Sequence, residues 1–442
     1  MIAIAKACGA EAIHPGYGFL SERGFFPDLC RDAGIVFIGP SGDVMRTMGD
    51  KVTARQTMAR AGVPIVPGVT ERLSDEEAER WIRGAGLPVM IKASAGGGGK
   101  GLRLVREASE VRSALQRARS EAKASFGDDG LYIERFITQP RHIEIQILAD
   151  RHGHVVHLFE RECSVQRRHQ KVIEEAPANR MTPALRARMG EAAVAAARAV
   201  GYAGAGTCEF LVNPQGEFFF LEMNTRVQVE HAITEAITGI DIVKAMIRVA
   251  AGEKLSMRQE DLTISGHAIE ARIYAEDPDA NFAPSPGEIL TYRVPGGPGV
   301  RVDSGVYQGA RVTVHYDPMV AKLVTSGQDR AEAIDRMKRA LSEFVVQGIK
   351  TSIPFHQRVM RHPKFLAGDY DTGFIENHLK GQEAPDDGAG EARRVAMMLA
   401  AIAAYRRDKE RAERLDSQPV AARAESLWKS FGRRSQMRSG LR

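Results

Sequence analysis

The stretch FFFLEMNTRVQVEH, Phe218 to His231, begins apolar and then sets Glu222, Asn224, Arg226, Gln228 and Glu230 at every second position. Extended backbone turns alternate side chains to opposite faces. This spacing therefore predicts a strand with five polar groups filed along one surface, over at most roughly 25–30 Å, and with Met223, Thr225, Val227 and Val229 along the other. Two carboxylates, a guanidinium and two amides in one file suggest a site; a solvated edge carries Lys, Thr and Ser in no such order. Just upstream, AGTCEFLVNPQGE adds a strand and an Asn-Pro-Gln-Gly turn, which makes a hairpin. A two-residue turn at Gln215-Gly216 pairs Glu209 with Glu222; a four-residue turn leaves them one pair apart on the same face. Opposed like charges destabilise a ladder unless a cation lies between them, and hard carboxylate oxygens suit Mg²⁺ or Mn²⁺.

Magnesium held by two carboxylates is usually completed by nucleotide phosphates. GGGGKG satisfies G-x-G-x-x-G at Gly96, Gly98 and Gly101, yet a dinucleotide fingerprint must open a helix, and the LRLV that follows alternates like a strand. Lys100 is followed by Gly101, not by Ser or Thr, so it is no P-loop either. Two readings stay open: a flap whose backbone N–H groups close over phosphates, or a flexible turn. Lys92 sits in the apolar strand PVMIKAS, where a buried ammonium requires an anion. Lys51 in MGDKVTA and the cluster QRRHQK, Gln166 to Lys171, add positive charge. His142 alternates with Glu144 and Gln146 on a polar strand face, a position where a histidine is more often structural than functional.

The first 50 residues alternate short strands (EAIHP, GIVFIGP) with helix, the rhythm of a parallel α/β sheet. DVMRTMGDKVTARQTMARAG reads as one helix stopped by Gly62 and Pro64. GLYIERFI, RHIEIQILAD and HVVHLFERECSVQ read as strands, ALRARMGEAAVAAARAVG as a helix ended at Gly201, and the chain turns β-rich after residue 255. The pattern changes near residue 50 and after residue 255, and composition makes 381–390 a linker before a basic helical tail.

With 43% hydrophobic and 26% charged residues among 442, the class is an ordinary soluble globular protein. No apolar run nears the roughly 20 residues of a membrane span, and the amino terminus lacks a signal-peptide pattern, so a cytoplasmic protein is expected. Cys8, Cys30, Cys163 and Cys208 lack paired spacing and predict neither disulfides nor zinc. Of the net +5, the segment after residue 390 carries roughly +7. The body is slightly acidic and is no nucleic-acid surface.

HPGYGFLSE, MGDKVTAR, IKASAGGGGKG, PRHIEIQILAD, ECSVQRRHQKVIEEAP, GTCEFL, EMNTRVQVEH and EARIYAEDP, in this order, resemble the biotin carboxylase component of biotin-dependent carboxylases. The resemblance implies an α/β (α+β) ATP-grasp fold with a partial Rossmann-like amino-terminal domain and a β-rich carboxyl-terminal domain. Together with the pattern changes, it gives the expected divisions 1–48 (partial amino-terminal unit), 49–255 (ATP-grasp unit), 256–380 (β-rich carboxyl-terminal unit) and 381–442 (linker and tail). It implies phosphorylation of bicarbonate by MgATP, or MnATP, to carboxyphosphate, which delivers CO₂ to N1′ of biotin. By the same resemblance Lys51, Lys92, His142, Gln166 and His169 meet ATP, Gly96, Gly97, Gly98 and Gly99 cover its phosphates, and Glu134, Arg135, Phe136 and Ile137 meet the adenine. Leu211 is also placed at the nucleotide and Tyr17 near biotin. Glu209, Glu222 and Asn224 hold metal; Lys171, Arg226, Gln228 and Val229 grip bicarbonate; Glu230 is the general base; and Arg272 stabilises the enolate-like oxygen of biotin. The family begins earlier, with further βα units, so an amino-terminally truncated chain is expected here. No Ala-Met-Lys-Met biotinylation site occurs, so biotin arrives on a separate carrier protein, with carboxyltransferase subunits as further partners and a homodimer as the family's habit. The basic tail is expected to dock a partner subunit. The acceptor (acetyl-CoA, propionyl-CoA, another acyl-CoA or pyruvate) stays open, as do two alternatives: a different ATP-grasp ligase, and a non-catalytic scaffold.

Overall fold

The computed structural model describes residues 1–69, 73–93, 102–379, 395, 397–407 and 409. Two compact units emerge, Met1–Lys380 and Gly381–Arg442. In the second, the described residues are helical and Val395, Met398, Leu399, Ile402 and Tyr405 are exposed. The expected linker 381–390 and the basic end lie outside the described residues.

In the first unit an antiparallel sheet of eight strands runs in the order Phe218–Asn224, Gly204–Val212, Arg141–Ala149, Val155–Arg167, Gln170–Ala176, His267–Tyr274, Met319–Gly327, Val300–Ser304. Sequence periodicity explains its central strands. In Arg141–Ala149 the residues Ile143, Ile145 and Ile147 enter one core with Met189, Phe210 and Phe220, while His142, Glu144 and Gln146 turn to the other face. That other face is also buried, so its polar groups must be mutually satisfied. Helix Pro183–Ala199 covers the apolar face. Thr182 caps it by accepting from Leu185 N at 3.2 Å, and Ala193, Ala196 and Ala197 are small enough to bring it close to the sheet. Val200 follows it and Gly201 turns the chain at φ 60°.

A four-stranded sheet, Gly68–Val69, Leu131–Arg135, Val89–Ala93, Leu102–Val105, carries helices Asp75–Ala85 and Val111–Phe126. The strand predicted from GLYIERFI belongs here. Lys92 pairs with Leu102 at the end of an antiparallel hairpin, so the glycine-rich segment is the connection of that hairpin. Gly96 to Gly99 lie outside the described residues. At the amino terminus Ala12–Ile13 and Val36–Phe37 pair in parallel around helix Phe25–Asp32, the βα rhythm predicted.

Two expectations change. The helix predicted across 43–62 is two helices, Gly42–Gly49 and Lys51–Arg60. Asp50 separates them at ψ 111° and accepts from Thr53 N at 2.7 Å, so its side chain starts the second helix as an N-cap. The five-membered polar row is not a strand throughout. Extended structure stops at Asn224, the chain bends through 225–229, and Glu230 is the N-cap residue of helix His231–Thr238.

Candidate active site

That bend gathers the row. Arg226 Nη1 donates to Gln228 Oε1 at 3.0 Å and Arg226 Nη2 to Asn224 Oδ1 at 3.1 Å. Asn224 Nδ2 and Gln228 Nε2 donate to Glu209 Oε1 at 2.8 and 3.3 Å. Five residues expected in file along a ribbon instead converge on one carboxylate and its neighbours. The turn defeats strand geometry because side chains two apart in a bend face inward together.

At the centre stands Lys171. Its Nζ contacts Glu144, and lies 2.6 Å from Glu209 Oε1 and 2.7 Å from Glu230 Oε1. The ladder between Val155–Arg167 and Gln170–Ala176 slips between Val165 and Gln166. The slip places Lys171 and Ile173 on opposite faces, sending the lysine to the polar side. A second slip pairs Phe210 with Phe220 but Glu209 with Glu222, leaving Leu221 as the extra residue. Glu209 and Glu222 are thus directly opposed, one of the two registers expected, but through a bulge and a longer connection than the two-residue turn at Gln215-Gly216.

Burial alone would lower the Lys171 ammonium; Glu144, Glu209 and Glu230 overcome it and hold the group well above its ordinary value. Burial likewise would raise the carboxyl of Glu230, yet Lys171, Arg272 and Arg161 hold it well below the usual range. Glu209 is held down in the same way by Lys171 and by His142, whose Nε2 lies 2.9 Å from Glu209 Oε2. Gln166 Nε2 in turn meets His142 Nδ1 at 2.7 Å.

Glu230 Oε2 also accepts from Arg272 Nη2 at 2.9 Å. Lys322 Nζ donates to Val229 O at 2.8 Å, tying the bend to the far side of the sheet. Arg226 Nε reaches Glu22 Oε2 at 2.8 Å, and Glu22 Oε1 accepts from Thr225 N at 3.0 Å. Sequence reading includes Glu22 only as the end of HPGYGFLSE and gives it no role, because its partners Thr225 and Arg226 lie over 200 residues away. It also leaves Glu144 and Arg161 without roles. Arg161 is fully buried and donates to Glu144, to Gln146 Oε1 at 2.6 Å, to Thr234 Oγ1 at 2.9 Å and to Thr207 Oγ1 at 3.1 Å. The alternation of His142, Glu144 and Gln146 is the available signal for that layer.

The anion required by Lys92 is Glu134, which also accepts from Arg55 Nη1 at 2.9 Å. The Glu134 side chain is therefore engaged inside the smaller sheet, while Phe136 and Ile137 line a cavity of about 260 Å³ with Arg135 and Phe219. Lys51 is lowered by burial, partly offset by Glu222. His169 lies in the exposed turn before Gln170 at φ 65°. Leu211 is half-buried opposite His142, and Tyr17 is exposed in the amino-terminal loops. None of the predicted site residues lines the cavity of about 910 Å³ between Pro27–Gly42 and Arg198–Ala203.

Donor chemistry fits a hard divalent cation at Glu222. Burial, with Glu209 opposite, raises its carboxyl, and it faces that carboxylate with no hydrogen-bond donor among the described residues. His142, Glu144 and Glu209 also bring ligand atoms within 4.8 Å of one another, but the Lys171 ammonium already occupies that position as their cation. Two carboxylates opposed across a bulge in a large antiparallel sheet, with a smaller four-stranded sheet that carries Lys92, are the architecture of the ATP-grasp class of enzyme.

Residues 1–45 match the biotin carboxylase N-terminal domain, 50–258 the carbamoyl-phosphate synthase L chain ATP binding domain and 270–377 the biotin carboxylase C-terminal domain. The chain is 53% identical over 382 residues to the biotin carboxylase of Nostoc sp., covering 86% of this chain and 85% of that one. The solved biotin carboxylase of Campylobacter jejuni in a β,γ-ATP complex matches with a TM-score of 0.83 at 48% identity, over 85% of this chain and 84% of that one. The biotin carboxylase domain dimer of Hydrogenobacter thermophilus 2-oxoglutarate carboxylase, with MgADP, ADP and bicarbonate, matches at 0.82 and 47%, over 85% and 83%. The chain belongs to the biotin carboxylase family.

Proposed function

We propose that this protein carboxylates biotin on a separate carrier protein, using ATP and bicarbonate, as the first half-reaction of a biotin-dependent carboxylase. The single observation that carries the reading is the convergence of Lys171 and Arg272 on Glu230, with Gln228, and through it Arg226, joined to the same Lys171 by Glu209. A small planar anion brought there meets a guanidinium fork, an ammonium and an amide within reach of an ionised carboxylate.

In this reading Arg226, Gln228, Lys171 and the Val229 backbone orient bicarbonate. Its arrival shares the positive charge that keeps Glu230 acidic, so the proton affinity of Glu230 rises as it is needed as general base. Glu230 takes the bicarbonate proton while a bicarbonate oxygen attacks the γ-phosphorus, ADP leaves and carboxyphosphate forms. Lys51, Lys92, His142, Gln166 and His169 face the nucleotide. A Mg²⁺ or Mn²⁺ ion held by Glu209, Glu222 and Asn224 would supply charge neutralisation at the phosphates. Carboxyphosphate then yields CO₂ and phosphate; the phosphate removes the N1′ proton of biotin, Arg272 stabilises the resulting oxygen, and N1′ attacks CO₂. A biotin carboxyl carrier protein, carboxyltransferase subunits and a second copy of this chain are the partners this chemistry and the dimeric relative support.

Bicarbonate-dependent ATP hydrolysis, measured with and without free biotin, tests the reading. Stimulation by biotin supports it. Hydrolysis indifferent to biotin selects another ATP-grasp ligase, and no hydrolysis from a folded sample selects a scaffold.

A further inference from the structure

Glu174 and Glu270 stand directly opposite each other in the ladder between Gln170–Ala176 and His267–Tyr274, and neither has any exposed surface. Directly opposed carboxylates in a dry sheet are destabilising unless something requires them. Glu270 Oε1 and Oε2 and Glu174 Oε2 have no hydrogen-bond partner among the described residues. The one carboxylate oxygen in use, Glu174 Oε1, accepts from Arg272 Nε at 2.7 Å. The same guanidinium donates through Nη2 to Glu230 at 2.9 Å. Arg272 lies two residues beyond Glu270 on the same strand face, so it runs diagonally across the pair. Its carbonyl oxygen accepts from Ser352 Oγ at 3.2 Å and lies 2.7 Å from His356 Nε2, which fixes the main chain as well. Two carboxylates from different elements thus set both the position and the plane of one guanidinium.

Resting on the reading that Arg272 meets biotin, we propose that Glu174, backed by Glu270, is a positioning residue for the carboxyl-transfer step, holding the Arg272 guanidinium for the biotin oxygen. A glutamine at 174 could accept one hydrogen bond but would supply no charge, leaving Arg272 drawn toward Glu230 alone. The charge balance agrees with this. Burial raises Glu174 to about 7 against the pull of Arg272, and raises Glu270 well above the usual range against the pull of Lys322. Of the two, Glu174 is the more readily ionised, and it is the one bonded to Arg272. No part of the nucleotide or bicarbonate chemistry described above uses either residue.

The test compares two rates in the same samples: carboxylation of free biotin, and bicarbonate-dependent ATP hydrolysis without biotin. For Glu174→Gln the ratio of the first to the second falls at least about tenfold. Glu174→Asp, which restores the charge, recovers part of it, and carries the test should Glu174→Gln not fold. Arg272→Lys lowers the ratio at least as far, and the double variant is no worse than Arg272→Lys within about twofold, because both changes act on one group. A ratio kept within twofold in Glu174→Gln while Arg272→Lys collapses it, or losses that multiply in the double variant, overturns the proposal. A ratio untouched by Arg272→Lys instead overturns the reading of Arg272 itself.

Discussion

Lys171 Nζ lies 2.7 Å from Glu230 Oε1. The ammonium that would bind bicarbonate is therefore bonded to the carboxylate that would deprotonate it, and also to Glu209 on the metal side. One cation ties Glu144, Glu209 and Glu230 into a single electrostatic unit, so a change at any of them is felt at the others.

Replacing the base without changing its shape isolates its proton role. Glu230→Gln is expected to lower kcat by roughly 10² to 10⁴ while the nucleotide dissociation constant moves by less than about threefold. Steady-state kinetics and nucleotide titration check both, and unchanged kcat removes Glu230 from the mechanism.

Arg161 neutralises Glu144 from within the sheet and has no exposed surface. Arg161→Met leaves that carboxylate facing only Lys171, and should cost about 3–5 kcal/mol in unfolding free energy by denaturant titration. A loss under about 1 kcal/mol would show that the layer tolerates the imbalance.

Glu175 supplies an acid-sensitive element away from the site. It meets His267 Nε2 at 2.7 Å, Arg330 Nε at 2.6 Å and the hydroxyl of Tyr370. Burial would raise its carboxyl, but His267 and Arg330 bring it down to about 2 from 4.5. A carboxyl depressed in the folded state binds protons more readily when unfolded. Its stabilisation is therefore complete above about pH 4.5 and is lost as pH falls toward 2. The difference is worth about 3 kcal/mol. Glu175→Gln should be less stable by that order at pH 7 and should lose less stability than the parent between about pH 4.5 and 2.

Glu222 lacks a described donor and faces Glu209. Glu222→Gln removes the like charge without removing bulk, so thermal stability should hold or rise slightly. The Mg²⁺ concentration for half-maximal ATP hydrolysis should increase about tenfold or more. An unchanged Mg²⁺ requirement would take Glu222 out of the metal site.

Much of this architecture is legible in the sequence. The strands of the central sheet follow from alternation in RHIEIQILAD and EFLVNPQGEFFFLEM, and hairpin logic brings Glu209 and Glu222 near each other while leaving two registers open. The bulges at Leu221 and Val172 are not legible, because a one-residue slip depends on cross-strand packing that period-2 patterning does not encode. The polar row reads wrongly as a straight one, since a bend through 225–229 and a strand share the same spacing when nothing such as Pro or Gly marks the turn. Asp50 does carry a signal: an N-cap residue three before Thr53 marks a helix start, and the apolar pattern running across it conceals the break. Contacts between Glu22 and Arg226, or Glu174 and Arg272, come from tertiary structure alone.

The central claim is that a bicarbonate oxygen, and not water, attacks the γ-phosphorus. It is tested most directly by ATP hydrolysis in the presence of ¹⁸O-labelled bicarbonate, with mass analysis of the released phosphate. Carboxyphosphate chemistry predicts that the bridging ¹⁸O stays with phosphate when CO₂ departs. Phosphate whose one newly acquired oxygen comes from solvent, in a sample that consumes ATP and depends on bicarbonate, would contradict the account.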